Sequence, residues 1–234
     1  MSSGFVAMLA LAVIAMAAIG VFSYLAKKRR IEGFALVAQQ QGLSFCEDDT
    51  FGTLGEPFTL FRKGDGRGVE NVMWGTWRGT ELRAFDYWYY EESRDAKGHT
   101  SRSYSRFDCV RLGIAADCPR TSIDPENLFS RLADALSFHD IEFESEEFNR
   151  AFNVKGADEK FANDLIDGRM ILWLLANATD CWIELVGERM LVARRRLAPE
   201  ELPGLFGFAL GFVAQVPRVV GDLYPLGGPP RPDV

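Results

Sequence analysis

The stretch FVAMLALAVIAMAAIGVFSYLA, from Phe5 to Ala26, decides the architecture because it has the length and composition of a membrane-spanning helix. It contains no charged residue, and its 22 residues would extend about 33 Å as an α-helix at about 1.5 Å per residue. That length spans a bilayer hydrocarbon core, which is about 30 Å thick. We therefore predict that residues 1–30 form a transmembrane anchor that ends in a basic collar.

The collar follows the apolar run at once and consists of Lys27, Lys28, Arg29 and Arg30. Under the positive-inside rule, such a collar stays in the cytoplasm, so the N-terminus faces out and the domain that follows is cytoplasmic. The predicted location is the inner (plasma) membrane, crossed once. A cleaved signal peptide is the alternative, but it has its positive charge before an apolar stretch of about 7 to 15 residues. The charge distribution therefore favours an anchor.

The chain beyond the collar is acidic. Of 26 Lys and Arg residues four lie in the collar, whereas all 33 Asp and Glu residues lie beyond it, which leaves a net charge of about −11. Nucleic acids and anionic lipid surfaces both attract clustered Lys and Arg. We therefore expect no nucleic-acid partner, and we expect contact with the membrane lipid bilayer only through the anchor and the collar.

The four cysteines lie far apart in the sequence and form no C-x-x-C pair, which argues against a zinc ribbon and against a thioredoxin-like redox pair. In a cytoplasmic domain they are expected to be reduced and to serve as small apolar residues.

Residues 31–225 are predicted to form one α+β domain of mainly antiparallel sheet with packed helices, and residues 226–234 a disordered tail. Ile31 to Gln41 has helical spacing and is expected to continue the membrane helix after a bend. Alternating and aromatic-rich runs then predict five strands, of which the last three form a meander with a turn at Arg78-Gly79. These strands are Leu43–Cys46, Pro57–Phe61, Asn71–Thr76, Glu81–Tyr90 and Ser103–Ile114.

The second half of the domain mixes helices and strands. Asp124-Pro125-Glu126 has the residue types of a helix start, which predicts a helix ending near Ser137. Ile141 and Phe143 indicate a strand, and Phe148 to Val154 an extended or turning segment. The remaining predictions are one or two helices in Ala157–Ala176, a hairpin of Trp182–Val186 with Met190–Arg194, and a buried, interfacial or membrane-inserted helix in Leu202–Val216.

Motifs that carry chemistry are missing from the sequence. There is no G-x-S-x-G for a hydrolase, no G-x-x-x-x-G-K-[ST] for a phosphate loop, and no pair of histidines at helical spacing for a metal. We predict no catalytic, cofactor-binding or metal-binding residue. The candidate binding surface is one face of the aromatic strand FDYWYY, where Asp86, Trp88 and Tyr90 alternate with Phe85, Tyr87 and Tyr89.

Two groups of apolar motifs, PFTLF and NVMWG in the strand region and EFNRAFNV from Glu147 to Val154, accompany the membrane helix and its collar. Together they resemble bacterial membrane-anchored families classed as domains of unknown function. The likeness covers most of the chain. It implies a bacterial origin and an α+β domain, and it transfers no catalytic residue.

These observations favour a membrane-tethered cytosolic binding or interaction module with a protein partner of unknown identity. Two alternatives stay open, namely an enzyme of an unrecognised class at the membrane surface and an accessory subunit of a membrane complex. The missing catalytic motifs weigh against the enzyme.

Overall fold

The computed structural model describes residues 3–95, 97–125, 140–177 and 180–227. Its first element is a single uninterrupted helix, α1 (Ser3–Gln41), which joins the predicted anchor to the first helical segment of the domain. Within the described residues, α1 is the one helix long and apolar enough to span a membrane. Its C-terminal part enters the domain, where Phe34, Val37 and Ala38 are buried.

The domain is built on one antiparallel sheet of six strands, which confirms the predicted α+β fold class. Strands β1 to β4 pair in chain order, and β4 also pairs with both later strands. The strands are β1 (Ser44–Asp48), β2 (Gly66–Trp77), β3 (Thr80–Arg94), β4 (Thr100–Pro125), β5 (Phe152–Gly156) and β6 (Cys181–Arg195).

Helices cover one face of the sheet and enclose the larger hydrophobic core. The end of α1 lies on this face beside the later helices, which contribute Phe148, Phe161, Leu174 and Phe206 to the core. The later helices are α2 (Glu146–Ala151), α3 (Glu159–Leu165), α4 (Gly168–Asn177), α5 (Leu202–Gln215) and α6 (Arg218–Leu223).

The opposite face of the sheet is covered by the segment between β1 and β2, where the predicted strand Pro57–Phe61 is wrong. Thr59–Arg62 is a 3-10 turn whose Phe61 packs on Tyr87, with ring centroids 5.2 Å apart. The backbone amide of Thr59 donates to the buried carboxylate of Glu184, 2.8 Å away on β6. A side chain from a distant strand thus satisfies a backbone group that a sheet partner would otherwise satisfy.

The predicted hairpin in Trp182–Arg194 is also wrong, because both halves belong to the single strand β6. Both halves pair with β4, and the register shifts near the pairing of Cys118 with Gly187. Gly187 has φ of 56°, a conformation that suits glycine in a β-bulge. The glycine that predicted a reversal therefore bends one continuous strand.

The predicted strand at Ile141 and Phe143 reduces to an isolated bridge between Asp140 and Lys155. The neighbouring segment Phe148–Val154, predicted to be extended or turning, instead holds the end of the short helix α2 followed by the start of β5. The apolar run Leu202–Val216 contains α5, which buries Leu202, Phe206 and Phe212 and is thus a core helix.

Of the one or two helices predicted in Ala157–Ala176, the structure shows two, because α3 ends at Leu165 and α4 begins at Gly168. Asp158 is the N-cap of α3, and its carboxylate accepts a hydrogen bond of 3.0 Å from the amide of Phe161. We expect Asp158→Ala to lower the free energy of unfolding by about 1 kcal/mol through loss of this cap. Chemical denaturation measures the change, and Asp158→Ser, which retains a cap, should recover most of it.

The predicted helix start at Asp124-Pro125 instead lies at the end of β4, where Asp124 pairs with Asn153 of β5. The rest of that predicted helix lies outside the described residues. Asp124 is 2% exposed, and its carboxylate has no hydrogen-bond partner among the described residues. Burial, with the negative charge of Glu184, raises the pKa of Asp124 to about 8.

This raised pKa predicts a dependence of stability on pH. The folded state holds a proton on Asp124 up to about pH 8, whereas the unfolded chain releases it near pH 4, so stability falls as the pH rises between these values. Relative to Asp124→Asn, the natural chain should lose about 1.4 kcal/mol between pH 6 and pH 7. Denaturant titration of both chains at the two pH values measures the difference. An equal change in both would show that Asp124 has an ordinary pKa.

Candidate functional site: a juxtamembrane groove

The centre of the site is the buried guanidinium of Arg30, which α1 carries into the domain at 7% exposure. Its Nε and Nη2 donate to the two carboxylate oxygens of Asp86 on β3, at 3.0 and 2.5 Å. Nη2 also donates to Asp108 on β4, and Nη1 donates to the carbonyl of Leu197. Arg30 thus joins the membrane helix to two strands and to the segment after β6.

Further hydrogen bonds hold both carboxylates of this network. Asn71 donates to Asp86 at 2.8 Å from a bulge in β2, where its φ of 55° turns the backbone out of register. The backbone amide of Leu197 donates to Asp108 at 2.5 Å. The bulge aims the Asn71 side chain at the network, which is a common use of bulges beside sites.

The two buried carboxyl groups of this network differ in pKa. Burial raises the pKa of Asp86, but the hydrogen bonds and charge of Arg30 outweigh burial and leave the pKa below its usual value. Burial, with the adjacent Asp86, raises the pKa of Asp108 to about 8. At neutral pH the network therefore holds one ionised carboxylate, one protonated carboxyl and one guanidinium, with no net charge.

Directly beside this network lies an open groove of about 720 Å³ between α1 and the sheet. We call it the juxtamembrane groove because its helical wall begins at Ser23, inside the predicted span, and runs through the collar to Arg30. Residues of the three strands β2, β3 and β4 and of the segment after β6 complete the lining. The full lining is Ser23, Ala26, Lys27, Arg29, Arg30, Glu70, Asn71, Trp88, Tyr104, Arg106, Arg196 and Pro199.

One side of the groove is aromatic, because Trp88 and Tyr104 line it and Tyr90 packs against both rings. We call these three residues the aromatic wall. Trp88 and Tyr90 stack with their centroids 6.4 Å apart, and Tyr104 packs on Tyr90 at 5.4 Å. Tyr104 remains 52% exposed. The wall therefore combines a fixed pair of rings with an accessible third ring.

Two glycines of β2 make room for the aromatic wall. Gly66 pairs with Tyr90 and Gly68 pairs with Trp88 in the sheet. A Cβ added at Gly66 would lie 2.3 Å from the Tyr90 ring, and one at Gly68 would lie 2.6 Å from the Trp88 ring. The rings thus lie across the glycine backbone. The alternation of two glycines with two aromatics on neighbouring strands is the sequence signal that would have revealed this arrangement.

The groove is more basic than the domain that forms it. Lys27, Arg29 and Arg196 form no side-chain hydrogen bond or ion pair with any described residue, whereas Arg106 pairs with Glu70 at 3.2 Å. Partial burial and the positive charges of Arg30 and Arg106 lower the pKa of Arg196. Asp86 and Asp108 attract Arg196 from the buried network but form no ion pair with it. The groove lining therefore holds three cations, Lys27, Arg29 and Arg196, without an ion-pair partner among the described residues.

The structure separates the residues of the predicted surface and the predicted collar. Asp86 is buried in the network, while Trp88 and Tyr90 belong to the aromatic wall. In the collar, Nζ of Lys28 lies 3.8 Å from Oε1 of Glu32, and both side chains are exposed on α1. Arg30, by contrast, points into the domain and pairs with Asp86. The residues that sequence reasoning missed are Arg106 and Arg196, which are distant in the chain and join the groove only through the pairing of β4 with β6.

No group of three or more His, Cys, Asp and Glu side chains suited to a metal ion occurs within the described residues. Their four cysteines are free, and three of them are buried: Cys109, Cys118 and Cys181.

Comparison with known proteins identifies a similar fold. No family model and no curated protein matches the chain. Among solved structures, the chain is similar to the crystal structure of the mycobacterial trehalose monomycolate transport factor A, TtfA. The two share 15% sequence identity with a TM-score of 0.51, and the match covers 87% of this chain and 97% of the other. At this identity the likeness shows the fold alone.

Proposed function

We propose that this chain is a membrane-tethered accessory module that acts by binding a partner at the juxtamembrane groove. The observation that carries the proposal is the meeting of unpaired cations and the aromatic wall at the base of the membrane helix. Tryptophan, tyrosine and arginine are the residue types that most often contribute strongly to binding, and here they surround one concave site.

The rigid junction between helix and domain supports this role. Because Arg30 bonds to β3, β4 and Leu197, the domain is held in a defined position on α1. The groove therefore stays close to the end of the apolar run instead of moving freely on a linker. The solved protein of similar fold is named a transport factor, which agrees with a role in assisting a process at a membrane.

In the proposed topology the N-terminus lies outside the cell and the domain lies in the cytoplasm, because the collar follows the apolar run. Fusion of the C-terminus to a reporter active only in the cytoplasm should give activity, whereas a reporter active only outside should give none. The intact mass of protein purified from membranes should include residues 1–30. Loss of those residues would identify a cleaved signal peptide and overturn the tether.

Site-specific photo-crosslinking in native membranes tests binding at the groove. A photoreactive amino acid at position 104, where Tyr104 is 52% exposed, should capture the same protein or lipid adduct in every preparation. The matched control carries the same photoreactive group at position 188, because Glu188 is exposed on β6 beside Arg189, which pairs with Gly113, and is not part of the groove lining. This control should not capture the adduct that position 104 captures. Identical adduct patterns from both positions would count against the groove as the binding site.

A further inference from the structure

We propose that the juxtamembrane groove binds the phosphate headgroup of one anionic phospholipid from the membrane leaflet that borders the collar. This inference rests on the proposed function, because it names the ligand of the same groove. It makes the groove a built site for a single lipid, in addition to any loose attraction between the collar and the bilayer surface.

The position of the groove suits a lipid headgroup. Its wall includes Ser23 and Ala26 from the end of the apolar run, followed by Lys27 and Arg29. A span from Phe5 to Ala26 places this boundary at the surface of the hydrocarbon core, where phosphate groups lie. A lipid in the leaflet can therefore place its headgroup in the groove while its acyl chains remain in the bilayer.

The charges of the groove suit a phosphate. Lys27, Arg29 and Arg196 approach from α1 and from the end of the sheet, and none of them has an ion-pair partner among the described residues. Arg30 is not available, since Asp86 and Asp108 occupy its donors. Burial and the charges of Arg30 and Arg106 outweigh the attraction of Asp86 and Asp108 and lower the pKa of Arg196, so an anion in the groove would favour its charged form.

The aromatic wall suits the part of the lipid next to the phosphate. Trp88 and Tyr104 line the groove, and tryptophan and tyrosine prefer the interface between headgroups and acyl chains. The rings offer apolar surface to the glycerol region and the first methylene groups. A volume of about 720 Å³ accommodates a headgroup.

Lipid retention by the full-length chain tests the proposal. The protein is reconstituted in nanodiscs of phosphatidylcholine and phosphatidylglycerol in equal amounts, extracted in mild detergent, and analysed by mass spectrometry for bound lipid. We expect phosphatidylglycerol to be retained in preference to phosphatidylcholine. Arg196→Gln should lower this retention about fivefold, as expected for loss of one basic contact to an anionic lipid.

Arg195→Gln is the matched control, because it removes the same charge from the neighbouring exposed position of β6, outside the groove lining. It should leave retention unchanged. Equal losses in the two variants would show attraction by net charge alone and overturn the proposal, as would equal retention of the two lipids.

Inorganic phosphate and glycerol phosphate distinguish a lipid from a soluble ligand. Neither should displace the retained phosphatidylglycerol at millimolar concentration, and complete displacement would assign the groove to a soluble phosphate instead. Failure of the lipid proposal differs from failure of the proposed function. A protein adduct at position 104 without lipid retention would overturn only the lipid, whereas no specific adduct and no retention would overturn both.

Discussion

Replacement of Arg30 by alanine is expected to lower the free energy of unfolding by about 3 to 5 kcal/mol, since it leaves two buried carboxyl groups without their cation. Asp86 and Asp108 are 5% and 0% exposed, so both depend on protein donors to compensate for their burial. The remaining donors are the Asn71 amide and the Leu197 backbone amide. Chemical denaturation of the full-length protein in detergent, followed by tryptophan fluorescence, measures the loss.

The Arg30→Ala protein should also respond to pH in a characteristic way. Without the guanidinium, the pKa of Asp86 rises from its lowered value, so the folded state then binds more protons than the unfolded chain. Its stability should therefore fall as the pH rises from about 5 to 8, more steeply than in the natural chain. Arg29→Ala removes an adjacent, exposed cation and should change stability by less than about 0.5 kcal/mol. Equal stability of the two variants would show that the network contributes nothing.

Replacement of Glu184 by alanine should be similarly destabilising, at about 3 to 5 kcal/mol, because it leaves the buried backbone amide of Thr59 unpaired and removes the only carboxylate that pairs with Arg120 among the described residues. Glu184 is fully buried on β6 and accepts from the amide of Thr59 at 2.8 Å and from Nη1 of Arg120 at 2.5 Å. These bonds hold the 3-10 turn that covers the aromatic face of the sheet. Loss of Glu184 should therefore also loosen Phe61 and Tyr87.

Glu184→Gln separates hydrogen bonding from charge. Burial raises the pKa of Glu184 in spite of Arg120 and the two donors of Thr59, so the ionised form carries a desolvation cost that glutamine avoids. The amide oxygen still accepts from Thr59. We therefore expect glutamine to cost clearly less than alanine, with exposed Glu188→Ala on the same strand close to neutral. A glutamine variant as unstable as alanine would show that the charge itself holds the turn.

Prediction from sequence succeeded where neighbouring residues carry the signal. The meander of β2, β3 and β4 follows from alternating aromatic and β-branched residues. Prediction failed where a distant partner decides the backbone. Gly187 carries a turn signal, yet pairing with β4 on both sides of it keeps β6 a single strand.

The sequence by itself determined that one apolar helix precedes an acidic α+β domain, because hydrophobic length and strand alternation are local properties of the chain. Only the tertiary structure decided that Arg30 binds two carboxylates that lie 56 and 78 residues away in the chain. It also decided that Arg106 and Arg196 line one groove with Lys27 and Arg29. The physical reason is that burial of a charge depends on which strands pair. Strand pairing depends on contacts between residues that are far apart in the chain, so a short stretch of sequence cannot predict it.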